Sequence, residues 1–227
     1  MKQFGRIYKL AMIVATAILV GAAAILTKCP VYRIIPLYVS LFVMFLQMKA
    51  YRVSFLLGGL NAAYYSVVHY FVGLYGLALY SLLVACPIQI VTYIRWKKRA
   101  YKHSTLLKKL SWKQRIFSGS IFAVIWCLLY GVLSLFGSGY LILDNSASVI
   151  GAAANIASLL YLIEFPYIQC VSLFINILLY INMVPSDPMQ WTFLIYTVYA
   201  LICAIISAVY MQRLYNHQAE DKEIKEA

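Results

Sequence analysis

Carboxylates are scarce in this chain. Of 227 residues only seven are acidic, namely Asp144, Glu164, Asp187, Glu220, Asp221, Glu223 and Glu226. Four of these crowd into the last eight residues, and none falls in the middle of an apolar run. Carriers driven by protons or cations usually bury an ionisable group at mid-membrane, because it must load and unload charge. No Lys or Arg lies mid-run either, and His69 is the one candidate; a lone histidine on an aromatic helix is more often a hydrogen-bonded structural residue. Paired acids, HExxH, a GxSxG elbow and a Gly-rich phosphate loop are all missing, which excludes the common enzyme constellations. The five cysteines (Cys29, Cys86, Cys127, Cys170, Cys203) are odd in number, scattered, and form neither CxxC nor a Cys/His cluster. Neither a disulfide framework nor a metal or other cofactor is expected.

What the chain has instead is hydrocarbon. It is 64% hydrophobic and 11% charged, against about 25% charged in a soluble domain. Apolar runs recur from end to end, several beyond the roughly 18 residues that mark a spanning helix. The expected fold is an all-α, multi-pass membrane protein with eight spans near 10–27, 34–48, 53–72, 74–96, 116–136, 141–163, 166–183 and 190–211. Gly73 is the candidate turn between the third and fourth.

Orientation follows from the cations. One set of loops and termini holds Lys2, Arg6, Lys9, Lys49, Arg52, Arg95, Lys97, Lys98, Arg99, Lys102, Lys108, Lys109, Lys113, Arg115, Arg213, Lys222 and Lys225; the other holds only Lys28 and Arg33. The 17-to-2 division places both termini in the cytoplasm of a cell's inner or plasma membrane. It also accounts for the net charge of +12 without a nucleic-acid partner, since no basic soluble domain is present. The first span resembles a signal peptide in its basic start, but "LAMIVATAILVGAAAIL" is long for one, and its removal would send the N-terminus outside.

The spacing of the spans suggests a plan. Residues 1–33 hold an extra N-terminal helix and its loop, 34–96 a first group of three, 97–140 a basic loop and linker helix, 141–212 a second group of three, and 213–227 a tail. Spans two and six run in the same direction, so the plan is three-plus-one-plus-three with two parallel repeats and a site between them at mid-depth. "YIRW" closing span four and "YMQR" closing span eight are the one echo between the halves.

Neutral polar residues line up on four spans. Asn61, Tyr65 and His69 stand at four-residue steps; Gln89 and Tyr93 follow Pro87; Ser148, Gly151, Asn155 and Ser158 share a face; Gln169, Ser172, Asn176 and Tyr180 make a stripe. Each amide alone is adequately explained as helix-to-helix glue. Together, from both halves, they outline a cavity of amides, hydroxyls and aromatic rings for a neutral or weakly charged solute with a ring and several hydroxyls. Pro87 and Pro166 would free carbonyls or permit bending.

These same residues carry a resemblance to the PnuC family of vitamin-precursor transporters. It rests on "LYGLALYSLLVACPIQIVTYIRWKK" (Leu74 to Lys98) and "LDNSASVIGAAANIASLLYLIEFPYIQCVSLFINILLY" (Leu143 to Tyr180). The family's Pro-x-Gln matches Pro87-Ile88-Gln89, and its Asp, mid-helix Gln and later acid match Asp144, Asn155 and Glu164. The resemblance implies a fold like that of SWEET sugar carriers plus an N-terminal helix, a homotrimer, and facilitated diffusion made one-way by phosphorylation of the substrate inside. The family's Trp-x-x-Trp pair, whose rings bracket the base, falls here on Pro166 and Gln169, and its Asn on Leu173, one turn before Asn176. Loss of the stacking pair tilts the expected substrate from nicotinamide riboside towards another nucleoside, with thiamine and riboflavin as alternatives.

The expected substrate contacts are Gln89, Asn155, Gln169 and Asn176, then Asn61, Tyr65, Tyr180 and Ser148, with the tyrosines as stacking walls. A competing class is the substrate-binding subunit of an energy-coupling-factor transporter, for which Ala11 and Ala15 offer a small-residue docking face. Lipid is the other expected partner, since the basic loop 97–115 suits anionic headgroups.

Overall fold

The computed structural model describes the backbone of residues 2–101 and 104–226, with the side chains of 2–7, 9 and 222–226 outside the described set. Of the cations counted above, Lys2, Arg6, Lys9, Lys102, Lys222 and Lys225 therefore lie outside the described residues.

Eight helices are described: α1 (Lys2–Leu26), α2 (Val31–Gln47), α3 (Val53–Phe71), α4 (Tyr75–Lys98), α5 (Trp112–Leu135), α6 (Leu141–Leu159), α7 (Phe165–Met183) and α8 (Gln190–Glu226). Four of them, α4, α5, α7 and α8, are long and apolar enough to cross a membrane by length and composition. The eight helices match the expected eight spans in number, and four of them are clear spans by that measure. α3 and α6 fall short of that apolarity because they carry the polar residues, such as Asn61 and His69 on one and Asp144, Asn145 and Asn155 on the other.

Local chemistry sets the helix ends. Gly73 turns α3 into α4 at φ 79°, a left-handed conformation that glycine takes without Cβ strain. Ser111 and Gln114 form a capping box that starts α5, the Gln114 N–H donating to the Ser111 hydroxyl and the Ser111 N–H to the Gln114 amide oxygen. Pro166 sits in the first turn of α7, where a missing N–H costs nothing. Pro87 lies inside α4 without breaking it: the turn before it, Tyr80–Ala85, widens to a π-helix.

Packing separates two peripheral helices from the rest. α5 leans on α6 and leaves Phe117, Val124 and Leu128 exposed, while α1 lies against α8 and α2. At the basic end the loop after α4 is stitched down. Ala100–Tyr101 pairs with Ser104–Thr105, the Lys108 N–H donates to the Tyr161 carbonyl (2.8 Å), and the Ile163 N–H donates to the Lys108 carbonyl (2.9 Å). α8 runs on past the expected edge at 211, so the segment read as a tail is helical, and its Gln218 amide pairs with the backbone of Thr105 and Leu107. Arg115 joins Glu164 at 2.7 Å.

Candidate functional site

A cavity of about 210 Å³ lies among six helices, α2, α3, α4, α6, α7 and α8; among the described residues none of α1 or α5 lines it. Asn61 and Tyr65 reach it from α3, Gln89 from α4, Asn155 from α6, and Gln169, Asn176 and Tyr180 from α7. Ser148 does not, which corrects that expectation. It is 1% exposed, donates to the Asp144 carbonyl one turn back (2.7 Å), and packs α6 against Gly76 at the start of α4.

The amides are already at work on the protein. Asn61 Nδ2 donates to the Pro36 carbonyl (2.9 Å) and to Ser40 Oγ (2.8 Å), whose hydroxyl reaches Tyr65 at 3.3 Å. Asn155 Nδ2 donates to the Tyr80 hydroxyl (2.6 Å) and the Gly151 carbonyl (3.2 Å). Asn176 Nδ2 donates to the Ser172 carbonyl (2.9 Å), and Gln169 Nε2 to Gln47 Oε1 (3.1 Å). The carbonyl oxygens of Gln89 and Gln169 are buried with no donor.

Two glycines make room for this arrangement. A Cβ on Gly58 would stand 2.2 Å from Gln89 Oε1, and one on Gly151 would stand 2.9 Å from the Tyr80 ring. Toward the far end the walls are aromatic: Tyr65 stacks on His69 (5.4 Å, 21°), and Phe193 lies 6.4 Å from Tyr65 and 5.5 Å from Tyr180. His69 Nδ1 faces Ser81 Oγ at 3.4 Å, a neutral hydrogen-bonded setting. At the basic end Phe55 meets Trp96 edge-on (4.6 Å) with Phe165 beside it (5.9 Å).

Besides the Tyr80–Asn155 and Gln47–Gln169 contacts and the Tyr199 hydroxyl on the Leu41 carbonyl (3.1 Å), the links between the helices of residues 31–98 and those of 141–226 include four toward the two ends. At the far end Arg33 of α2 pairs with Asp187 just before α8 (2.9 Å), and Asp144 of α6 accepts the Gly76 and Leu77 N–H groups that open α4 (2.8 and 2.9 Å). Nearer the basic end Trp96 Nε1 donates to the Ser158 carbonyl (2.8 Å), and Ser207 Oγ to the Gln47 carbonyl (3.0 Å). Burial alone would raise the Asp187 carboxyl, but the hydrogen bonds from Arg33 and Gln190 hold it below the usual carboxylate value.

Sequence reasoning missed Gln47, Ser40, Tyr80 and Tyr196, all of which line the cavity. Gln47 is the last residue of α2 and reads as a span edge; Tyr196 is one of several regularly spaced aromatics in α8. Among the described residues no Lys, Arg, Asp or Glu lines the cavity, and no group of three His, Cys, Asp or Glu stands close enough to hold a metal.

The family described as nicotinamide mononucleotide transporter matches residues 30–211. In fold the chain is similar to the crystal structure of the vitamin B3 transporter PnuC, with a TM-score of 0.80 over 92% of each chain and 17% identity. No curated protein matches in sequence.

Proposed function

The chain belongs to the nicotinamide mononucleotide transporter (PnuC) family of membrane transporters, and from that membership we propose that it is a facilitative carrier for a nucleoside-like vitamin precursor, nicotinamide riboside or a (deoxy)nucleoside. The observation that carries this is the cavity's lining, where amides, hydroxyls and aromatic rings stand among small and aliphatic side chains and no described residue is charged. A phosphate in that site would be a desolvated anion with no cation opposite it. The solute is therefore an unphosphorylated nucleoside rather than a nucleotide. With no carboxylate to load a proton or sodium ion, transport is uncoupled, and phosphorylation inside makes it one-way.

The same proposal includes two parallel three-helix repeats, a homotrimer, and both termini in the cytoplasm. A constant offset supports the repeats. Residue 33 corresponds to 144, 76 to 187, 47 to 158 and 96 to 207, each 111 apart, so the four links form two equivalent pairs. Nine pairs of cavity residues share that offset, among them Asn61 with Ser172 and His69 with Tyr180.

The test is a thermal-shift screen of the purified chain with nicotinamide riboside, nucleosides, thiamine and riboflavin, followed by uptake into liposomes. A solute that binds only the folded state raises its stability by mass action, about 2.7 kcal/mol at a hundred times Kd. Uptake by the chain alone, unchanged when ion gradients are collapsed, is the expected result. Gln89→Ala and Asn155→Ala should weaken it while folded protein is retained. Uptake that collapses with a gradient, or both variants transporting normally, refutes the placement.

A further inference from the structure

We infer that the cavity selects its solute by that solute's hydrogen-bond donors, with the Gln169 carbonyl as acceptor and Gln47 as the residue that aims it. The solute class is then a nucleoside-like molecule whose base carries an amino or carboxamide –NH2. This rests on the transport reading of the cavity.

A carboxamide offers two N–H donors and one oxygen with two lone pairs. Asn61, Asn155, Gln169 and Asn176 each turn their –NH2 onto the protein: onto Pro36 and Ser40, onto Tyr80 and Gly151, onto Gln47, and onto the Ser172 carbonyl. What Asn61, Asn155 and Gln169 leave for a guest is oxygen, and Asn176 leaves its oxygen and one N–H. The bias is the same in both halves, so the cavity favours molecules rich in O–H and N–H groups, such as a ribose with an amino-bearing base.

Gln169 is the sharpest case. Its oxygen is buried and has no donor. Such an acceptor loses its water without compensation, and a guest N–H restores the missing bond. An amide's oxygen and nitrogen are nearly alike in shape, so partners decide which way it points. Here Gln47 Oε1 takes the Gln169 –NH2 at 3.1 Å, and Met44 Sδ lies 3.7 Å from the same nitrogen. With Gln47 as it stands, the opposite orientation of Gln169 would set two oxygens against each other, and turning both amides together would set the Gln169 oxygen against the Met44 sulfur instead of its –NH2.

The experiment measures uptake by liposomes containing the full chain, using neutral pairs that share ring and sugar. Adenosine is set against purine riboside, and cytidine against its analogue without the 4-amino group. The wild type should prefer the amino member by about tenfold or more, because a site built to pair a donor rejects the analogue that lacks it. Gln47→Leu frees the Gln169 amide to turn over, and the preference should fall towards one. Gln47→Glu, assayed at a pH high enough to keep its carboxylate ionised, can only accept, so it should hold the amide as it is and keep the preference; its charge acts alike on both members of a neutral pair. A wild-type ratio near one, or a folded Gln47→Glu protein as unselective as Gln47→Leu, overturns the inference and leaves the transport reading standing. Failure of every compound to bind or cross is the separate result that removes the transport reading and this inference with it.

Discussion

Asp144 is the place where one substitution should separate folding from recognition. Its side chain is fully buried, yet it lines no part of the cavity. Its two oxygens accept the Gly76 and Leu77 N–H groups and the Ser138 hydroxyl (2.9 Å). Leu74, the residue that precedes α4, has no side chain able to cap it, so the cap arrives from α6. Asp144→Ala would strand two helix N–H groups and a hydroxyl. Each stranded donor costs about 1–3 kcal/mol. Relief from burying a carboxylate offsets part of the sum, which leaves a net loss of about 3–5 kcal/mol. Asp144→Asn keeps one accepting oxygen but turns an –NH2 towards a helix N–H, for a loss of about 2 kcal/mol. At about 2–4 °C per kcal/mol for a chain of this size, the alanine protein should melt about 6–20 °C lower and the asparagine protein about 4–8 °C lower. The assay is thermal unfolding in detergent, with liposome uptake of the surviving protein showing unchanged preference among solutes. An alanine variant melting within about 2 °C of the parent, or one melting no lower than the asparagine variant, would refute the capping argument.

Two further outcomes are expected. Gly58→Ala puts a methyl group where Gln89 Oε1 now lies, 2.2 Å from it, so the amide must swing away; uptake should fall to the level of Gln89→Ala with the folded yield kept, and normal uptake would show that the amide's place is immaterial. The Arg33–Asp187 link should respond to acid in one direction. Because folding lowers the Asp187 carboxyl below 3.8, its contribution is complete above that pH and is lost as pH falls through the folded value. The difference in melting temperature between wild type and Asp187→Asn should hold steady from neutral pH to about 3.8 and shrink below it; a difference that disappears near neutral pH contradicts the pairing.

Much of this was legible because helices in a membrane must follow the hydrocarbon. The turn at Gly73 and most span edges fell within a few residues of those expected. The stripe on α6 shows what periodicity leaves out. Ser148, Gly151, Asn155 and Ser158 share a face, but the cavity is shorter than the stripe. Asn155 and Gly151 line it, Ser148 packs against α4, and Ser158 takes the Trp96 indole on its carbonyl. A period gives the side of a helix and not the depth at which the wall ends. The helical continuation past 211 gave little sign for a related reason: its residues have little apolar surface to announce a helix, and what anchors them is an amide on a loop's backbone, Gln218 on Thr105 and Leu107.

The 111-residue offset that supports the proposed repeats was hidden more thoroughly, and the contacts explain how. The echo of "YIRW" in "YMQR" sets Tyr93 against Tyr210, 117 residues apart, whereas the links recur at 111. Links that correspond under the proposed repeats are made with unlike chemistry. An ion pair between Arg33 and Asp187 stands where Asp144 meets the N–H groups of Gly76 and Leu77, and an indole N–H from Trp96 stands where a hydroxyl comes from Ser207. In three of the four, one partner is a backbone atom, which any residue but proline supplies as a donor and every residue supplies as an acceptor. Such a link constrains where two helices cross and leaves the side chain at the backbone partner's position free to change. Two halves of the proposed kind can therefore keep one geometry while losing nearly all likeness of sequence, and their correspondence becomes readable only when the atoms that meet are known.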